Sequence, residues 1–406
     1  MYIRRTIEKT IEKANAFFPV VMITGARQVG KTTVFRNCEK TPRRYVSLDG
    51  LSDRELAQNE PELFLKRYPA PVLIDEVQYA PQLFPYIKKI VDNEKQAGLY
   101  WLTGSQQFDL MKNVSESLAG RVGILKLQGF SQSEKQNRPE QEPFLPMPDF
   151  IEKQAQTAVA LKYDALWKMI WKGSYPKMDT ADDGYWEMFY ESYLQTYIER
   201  DIRQLTAVSN EMDFIKFMRS AAARTGQLLN YAEIANDVGV SQPTVKSWLS
   251  VLQTSGLVYL LYPYSNNITK RMIKTPKLYF TDTGLAAYLT AWKTPETLEA
   301  GAMNGAFLET YVITEILKSY WHNGKNPNAF FYRDKDMKEI DLILEENGKL
   351  YPVEIKKKSN PDKSDVKNFD VLKNTGKEIG SGAVVCLCET HLPITENVNM
   401  IPVEYL

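Results

Sequence analysis

The segment Gly-Ala-Arg-Gln-Val-Gly-Lys-Thr, residues 25–32, narrows the choice of fold more than any other part of this chain. It follows the apolar run Val20 to Ile23 and leads into a stretch with helical spacing. A glycine, four residues and then Gly-Lys-Thr, set between a strand and a helix, is the spacing of a loop that wraps phosphates. The glycines let the backbone turn tightly. The helix that follows points its free N–H groups and its positive dipole end at the same anion. The spacing predicts nucleotide-binding residues Gly25, Ala26, Arg27, Gln28, Val29, Gly30, Lys31, Thr32 and Thr33. Lys31 is expected to reach the outer phosphates of ATP, and the Thr32 hydroxyl to ligate Mg2+.

Two further strand ends fit the same chemistry. Pro71 to Glu76 reads as an apolar strand ending in a carboxylate, Asp75, at the sheet edge where Mg2+ is held. Glu76 follows at once and is placed to orient or deprotonate the attacking water. Leu99 to Leu102 ends in Thr103-Gly104-Ser105-Gln106, which makes Ser105 and Gln106 candidates for sensing the γ-phosphate. Arg121, just before the strand Ile124 to Leu127, is a candidate for stabilising transition-state charge, in cis or toward a neighbouring subunit. Arg27 is its rival inside the loop.

Apolar runs at Val20 to Ile23, Tyr45 to Leu48, Val72 to Ile74 and Tyr100 to Leu102 alternate with helical patterns. That rhythm predicts the α/β class, with a parallel sheet covered by helices on both faces over residues 1–131. Residues 132–148 hold four prolines (Pro139, Pro143, Pro146 and Pro148) and little apolar periodicity, so a linker or long loop is expected there. Residues 149–210 read as a helical connector, with Trp186, Tyr190, Tyr193 and Tyr197 at helical spacing. The 406 residues carry 50 Lys+Arg and 50 Asp+Glu, so any contact with nucleic acid must be a local patch. Three Cys and two His cannot build a four-ligand zinc site unaided. The start lacks an apolar signal segment, and no run approaches the ~20 apolar residues of a membrane span. A soluble cytoplasmic protein with no membrane partner is expected.

Residues 211–290 carry a winged helix-turn-helix pattern. Asn230 can cap a helix with Ile234, Ala235 and Val238 on its buried face, and Gly239 breaks it. Ser241 caps a second helix, which buries Val245, Trp248, Leu249 and Leu252 before Gly256 ends it and a strand follows. Gln242, Thr244, Lys246, Ser247 and Ser250 are left to face double-stranded DNA. Lys270, Arg271, Lys274 and Lys277 are expected to add charge in the wing.

Residues 291–406 hold an unusual hairpin. Asn347-Gly348 is a preferred pair for a two-residue turn. It sets Glu346 opposite Lys349, Asp341 opposite Glu354 and Glu339 opposite Lys356, all four of the last residues on one face. Ile340, Leu342, Leu344, Tyr351, Val353 and Ile355 fall on the other face as core. Opposed carboxylates destabilise a hairpin unless a cation lies between them. Asp341 and Glu354 are therefore candidates for a second Mg2+ or Mn2+, and Lys356 for activating water. Here the sequence resembles the restriction-endonuclease-like nucleases, and Glu309 on the preceding helix resembles the extra acid such folds carry.

Taken together, GARQVGKTT, LIDEVQYAP, LTGSQQ and SLAGRV resemble a family of bacterial and archaeal AAA-type ATPases, and YLQTYIERDIRQL and LYFTDTGLAAYL resemble that family's second half. The resemblance implies Mg-ATP binding at Lys31, Thr32 and Asp75 and a water-activating role for Glu76. The chain departs from it after Arg121, where LQGFS replaces a Pro-Leu-Ser-Phe-like turn. Three functions stay open. One is an ATPase whose cycle moves the winged helix and the nuclease-like domain, acting on DNA, a protein partner or a homo-oligomer. The others are an ATP-gated, metal-dependent nuclease and a nucleotide switch with negligible turnover.

Overall fold

The computed structural model describes residues 2–104, 114, 116–197, 211–265 and 275–406. The apolar runs of the first third become five strands: β1 (Val20–Thr24), β2 (Arg44–Ser47), β3 (Val72–Asp75), β4 (Tyr100–Gly104) and β5 (Val122–Lys126). They form a sheet in the order β2-β3-β4-β1-β5, with every neighbouring pair parallel. Alternation along β1 splits the core. Val21 and Ile23 pack with the helices Ile7–Phe17 and Lys31–Cys38, whereas Val20 and Met22 pack with Leu51–Asn59, Pro61–Arg67 and Leu83–Glu94. The expected α/β layer with helices on both faces is therefore present.

Residues 132–148 are irregular for most of their length but do not behave as a linker. Ser131 and Glu134 form a capping box around the short helix Gln132–Lys135, whose Gln132, Ser133 and Glu134 are buried. Phe144 is fully buried. Its N–H donates to Ser319 Oγ (2.9 Å) and its carbonyl accepts from Tyr320 OH (2.8 Å). The prolines suit a segment threaded between other elements, where few backbone N–H groups find a ladder.

The middle of the chain is helical, as expected. Trp186, Tyr190, Tyr193 and Tyr197 line the buried face of the helix Trp186–Tyr197, and Trp171 stacks on Trp186 at 4.6 Å. Tyr231–Val238 and Gln242–Thr254 follow as two helices separated by Gly239 (φ 81°). Next come β7 (Val258–Pro263) and β8 (Lys277–Phe280), which pair antiparallel, with β6 (Gln227–Leu228) on the far side of β8.

The second sheet does not stop at residue 290. Strands β9 (Ala329–Arg333), β10 (Glu339–Glu346), β11 (Lys349–Lys356), β12 (Glu378–Ile379), β13 (Gly382–Cys386), β14 (Leu392–Thr395) and β15 (Val398–Pro402) continue it. Its order is β14-β15-β13-β11-β10-β9-β7-β8-β6, with β12 on β11. The join is a parallel pairing of β7 with β9, Tyr262 opposite Phe330. The expected boundary between 211–290 and 291–406 is thus crossed by a continuous sheet. The helix Asn304–Trp321 packs beneath it, and a single core cluster runs from Ile7 through this helix to Leu406. Among the described residues no helix is long and apolar enough to cross a membrane.

Candidate nucleotide-binding site

The loop at the end of β1 is shaped by its glycines. Gly25 has φ 153°, and a Cβ there would lie 2.0 Å from the Leu127 carbonyl oxygen. Gly30 (φ 93°, left-handed) opens the helix Lys31–Cys38. Ala26 and Val29 are buried and seat the loop on the core. The Val29 carbonyl accepts from Arg5 Nη1 (3.1 Å). Lys31 is 6% exposed, and its Nζ donates to the carbonyls of Gly25 (3.1 Å) and Ala26 (2.9 Å). The ammonium is thus held at the centre of the loop that it is expected to serve.

At the ends of β3 and β4 the polar groups converge on one carboxylate. Thr32 Oγ1 donates to Asp75 Oδ1 at 2.7 Å, Thr103 Oγ1 donates to the same oxygen, and Tyr45 OH donates to Oδ2 at 3.2 Å. Burial, reinforced by the Asp75 charge, pushes the Tyr45 hydroxyl above its ordinary range. A hydroxyl and a carboxylate this close at a helix N-terminus are hard oxygen donors suited to Mg2+. Glu76 adopts a left-handed backbone (φ 59°) and its N–H donates to Thr103 Oγ1 at 3.2 Å. Gln78 Nε2 donates to the Glu76 carboxylate. Thr103 is the residue that sequence reasoning missed. The signal was available, since β3 and β4 are adjacent runs in a parallel sheet and their last residues must lie side by side.

Two cavities flank the loop. One of about 370 Å3 lies between the N-terminal residues Tyr2 and Ile3, the helix residues Thr33, Val34 and Asn37, and Pro176 with Thr180. The other, about 600 Å3, is lined by Gln28 of the loop, Lys177, Asp182 and Phe189.

Three of the other candidates fare differently. Ser105 and Gln106 lie outside the described residues. Arg121 is on the wrong edge of the sheet for its own loop. It precedes β5, and its carbonyl accepts from the N–H of Val20 at the start of β1, whereas the phosphate loop follows the end of β1. Its guanidinium grips Asp92 (Nη2 to Oδ2, 2.9 Å) and the Ala119 carbonyl. The expectation of a cis role is corrected: a residue before a parallel strand cannot reach a loop after its neighbour.

The second unit keeps the predicted caps. Asn230 Oδ1 accepts from the N–H groups of Ala232 and Glu233, and Ser241 Oγ accepts from Thr244 N (3.2 Å). Gln242, Lys246, Ser247 and Ser250 are exposed on the second helix. Lys270, Arg271 and Lys274 lie outside the described residues. Lys277 overturns its reading. It is buried, not on a wing, and its Nζ contacts Glu309 (3.0 Å) and Glu339 (2.6 Å).

The β10–β11 hairpin has the predicted turn, with Asn347 at φ 51° and Gly348 at φ 80°, and the predicted register from Glu346 opposite Lys349 to Leu342 opposite Val353. It departs at its open end. A bulge between Ile340 and Ile343 in the pairing with β9 sends Ile340 to the opposite core cluster from Leu342 and Leu344. Glu309, Asp341 and Glu354 do come together, but Lys356 pairs with Glu354 (2.7 Å) rather than with Glu339. Burial and the Asp341 charge push the Glu354 carboxyl up to about 8 and the Glu309 carboxyl up to about 7. Among the described residues no group of three or more His, Cys, Asp or Glu is arranged to hold a metal ion, so the second Mg2+ or Mn2+ expected at Asp341 and Glu354 is not supported.

Residues 18–135 match the family described as AAA domain. Residues 163–296 and 304–406 each match a domain of unknown function, DUF8612 and DUF4143 respectively. The chain is 28% identical over 409 aligned positions to the uncharacterized protein Rv2008c of Mycobacterium tuberculosis, covering 99% of this chain and 84% of that one. The uncharacterized protein Mb2031c of Mycobacterium bovis matches to the same extent. Among solved structures, the Walker-type ATPase of Pyrococcus abyssi aligns with 71% of this chain and 96% of its own at 13% identity, with a TM-score of 0.43. A RuvB variant of Thermotoga maritima aligns with 63% of this chain and 85% of its own at 15% identity, with a TM-score of 0.30. The similarity to AAA domains thus lies in the N-terminal unit.

Proposed function

We propose that this chain is a Mg2+-dependent ATP hydrolase. The observation that carries the reading is the convergence of Thr32 and Thr103 on one Asp75 carboxylate oxygen, directly beside a glycine-shaped loop that centres Lys31. The loop N–H groups and Lys31 take the phosphates. Thr32 and Asp75 hold Mg2+, which supplies charge neutralisation to the β- and γ-phosphate oxygens when bound. The adenine base fits the cavity between Tyr2, Asn37 and Pro176, because that space opens off the helix that carries Thr32 and Thr33. Glu76 accepts the proton of the attacking water. Its left-handed backbone is fixed through Thr103, and Gln78 donates to the carboxylate and steadies it.

The test is single-turnover and steady-state phosphate release beside nucleotide affinity. Glu76→Gln is expected to keep ATP affinity and lose about 10²–10⁴-fold in turnover, the usual worth of a positioned base. Lys31→Ala is expected to lose both. Unchanged turnover in Glu76→Gln defeats the hydrolase reading. A parent already at background rate would instead favour a nucleotide switch. Arg121 can serve only a neighbour's nucleotide, which requires a homo-oligomer, and turnover per chain that does not rise with protein concentration removes that role.

A second reading, contact with double-stranded DNA, is favoured by the exposed Gln242, Lys246, Ser247 and Ser250 on a capped helix that is followed by the β6-β8-β7 ribbon, which we read as a winged helix. A phosphate contact by Lys246 predicts that Lys246→Ala weakens duplex binding and lowers the salt slope by about 1. Duplex binding that is absent at low salt, by fluorescence anisotropy, excludes it.

A further inference from the structure

The two oxygens of Asp75 have different neighbours. Oδ1 accepts from the hydroxyls of Thr32 (2.7 Å) and Thr103, beside the phosphate loop. Oδ2 accepts from the phenol of Tyr45 at 3.2 Å. One oxygen is thus turned toward the helix that carries the loop, and the other is held from β2, the strand next to β3. A phenol is protonated at neutral pH, so Tyr45 is the donor.

The sheet explains how Tyr45 arrives there. In the parallel pairing of β2 with β3, Tyr45 lies opposite Leu73 and Ser47 opposite Asp75. Alternate residues share a face, so Tyr45 stands on the Asp75 face and its long side chain reaches two positions along the strand. The same face carries the helix Lys31–Cys38, since Leu73 shares a core cluster with Val34 and Phe35. Arg36 of that helix sets its guanidinium over the Tyr45 ring, 4.0 Å from the centroid. Thr32 and Arg36 are four residues apart, so one side of one helix supplies both the hydroxyl on Oδ1 and the clamp on the group that holds Oδ2.

We propose that Tyr45 is a positioning residue that sets the cation preference of this site: by holding Oδ2, it leaves Asp75 a single oxygen for the metal. The inference rests on the Mg-ATP reading above and adds a selectivity to it. Mg2+ demands a small, near-octahedral set of oxygens. Ca2+ is larger, accepts more ligands and readily takes both oxygens of one carboxylate. A carboxylate pinned at Oδ2 therefore suits Mg2+ and handicaps Ca2+. Without the phenol, Oδ2 is free to turn toward the ion.

Binding of a fluorescent ATP analogue to the full chain, titrated with Mg2+ and separately with Ca2+, tests this without recourse to turnover. Tyr45 is 42% exposed, so Tyr45→Phe removes a hydroxyl and leaves the core in place. The preference for Mg2+ over Ca2+ should fall by about 2–10-fold in Tyr45→Phe, the worth of one hydrogen bond. On an Asp75→Asn background the same substitution should leave the preference where it is. An unchanged preference in Tyr45→Phe overturns the proposal, and so does an equal shift with and without the Asp75 carboxylate. Should Asp75→Asn abolish the cation response, the parent and Tyr45→Phe alone decide. Analogue binding in the parent that ignores both cations defeats the Mg-ATP reading itself and takes the proposal with it.

Discussion

Gly25 has no room for a side chain, because the Leu127 carbonyl occupies the place of its Cβ. Gly25→Ala is therefore expected to abolish binding of a fluorescent ATP analogue while the melting temperature falls only modestly. Retained affinity would mean that the loop does not need this approach. The loop and Asp75 were legible because their chemistry is local: a spacing, a preceding strand, a terminal carboxylate. Arg121 was placed by its nearness in sequence to a motif, and sheet direction corrects it. Lys277 was misread because a lysine at the edge of an apolar run, Lys277 to Phe280, looks exposed until its acidic partners arrive from elements that begin at Asn304 and Glu339.

At the scale of elements, caps and turns were read well and bulges were not. Ser241 and Asn230 act on N–H groups two or three residues away, so the sequence contains both partners. Ser241→Ala should cost about 1 kcal/mol. It should also speed amide exchange over Gln242–Thr254 more than elsewhere, and a uniform change across the chain would contradict a local cap. The Asn347-Gly348 turn was predictable for the same reason. The bulge that redirects Ile340 depends on β9, a separate element, and no pattern within the hairpin announces it. Both faces of this hairpin are consequently buried, one by the long helix and the other by Phe369 and Leu372.

At the scale of the whole molecule, one buried ion network joins the phosphate loop to the C-terminal unit. Arg5 donates to the carbonyls of Val29, Gln128 and Gly129, and its Nε lies 3.0 Å from Glu134 Oε2. Glu134 Oε1 lies 3.2 Å from Nδ1 of His322, at the end of the long helix, and the N–H of Gln128 donates to His322 Nε2. Burial alone pushes the Glu134 carboxyl up, but Arg5 and His322 more than reverse this and hold it below its ordinary range. Burial lowers the His322 imidazole against the pull of Glu134. Both groups then bind fewer protons folded than unfolded in mild acid, so stability rises with pH there. Their contribution is complete above the ordinary imidazole value of 6.5 and is lost as pH falls below it and then through the carboxylate range. Glu134→Gln strands Arg5 and should cost about 3–5 kcal/mol at neutral pH. Across the range from about pH 6 to pH 4 the melting temperature of the parent should fall. A parent whose melting temperature is level across that range refutes the assignment. None of this was visible in residues 132–148, where prolines mask a segment that the rest of the chain closes around.

The pairing of β7 with β9 also sets an order of events during synthesis. All five strands of the first sheet lie within the first 126 residues and can close while the rest is still being made. The ribbon β6-β8-β7 emerges with one flank bare, and the strand that covers it belongs to the last quarter of the chain. On the ribosome the exposed helix is thus presented by a sheet with an open edge, the kind of surface chaperones guard. Its final rigidity is inherited from residues translated long after it.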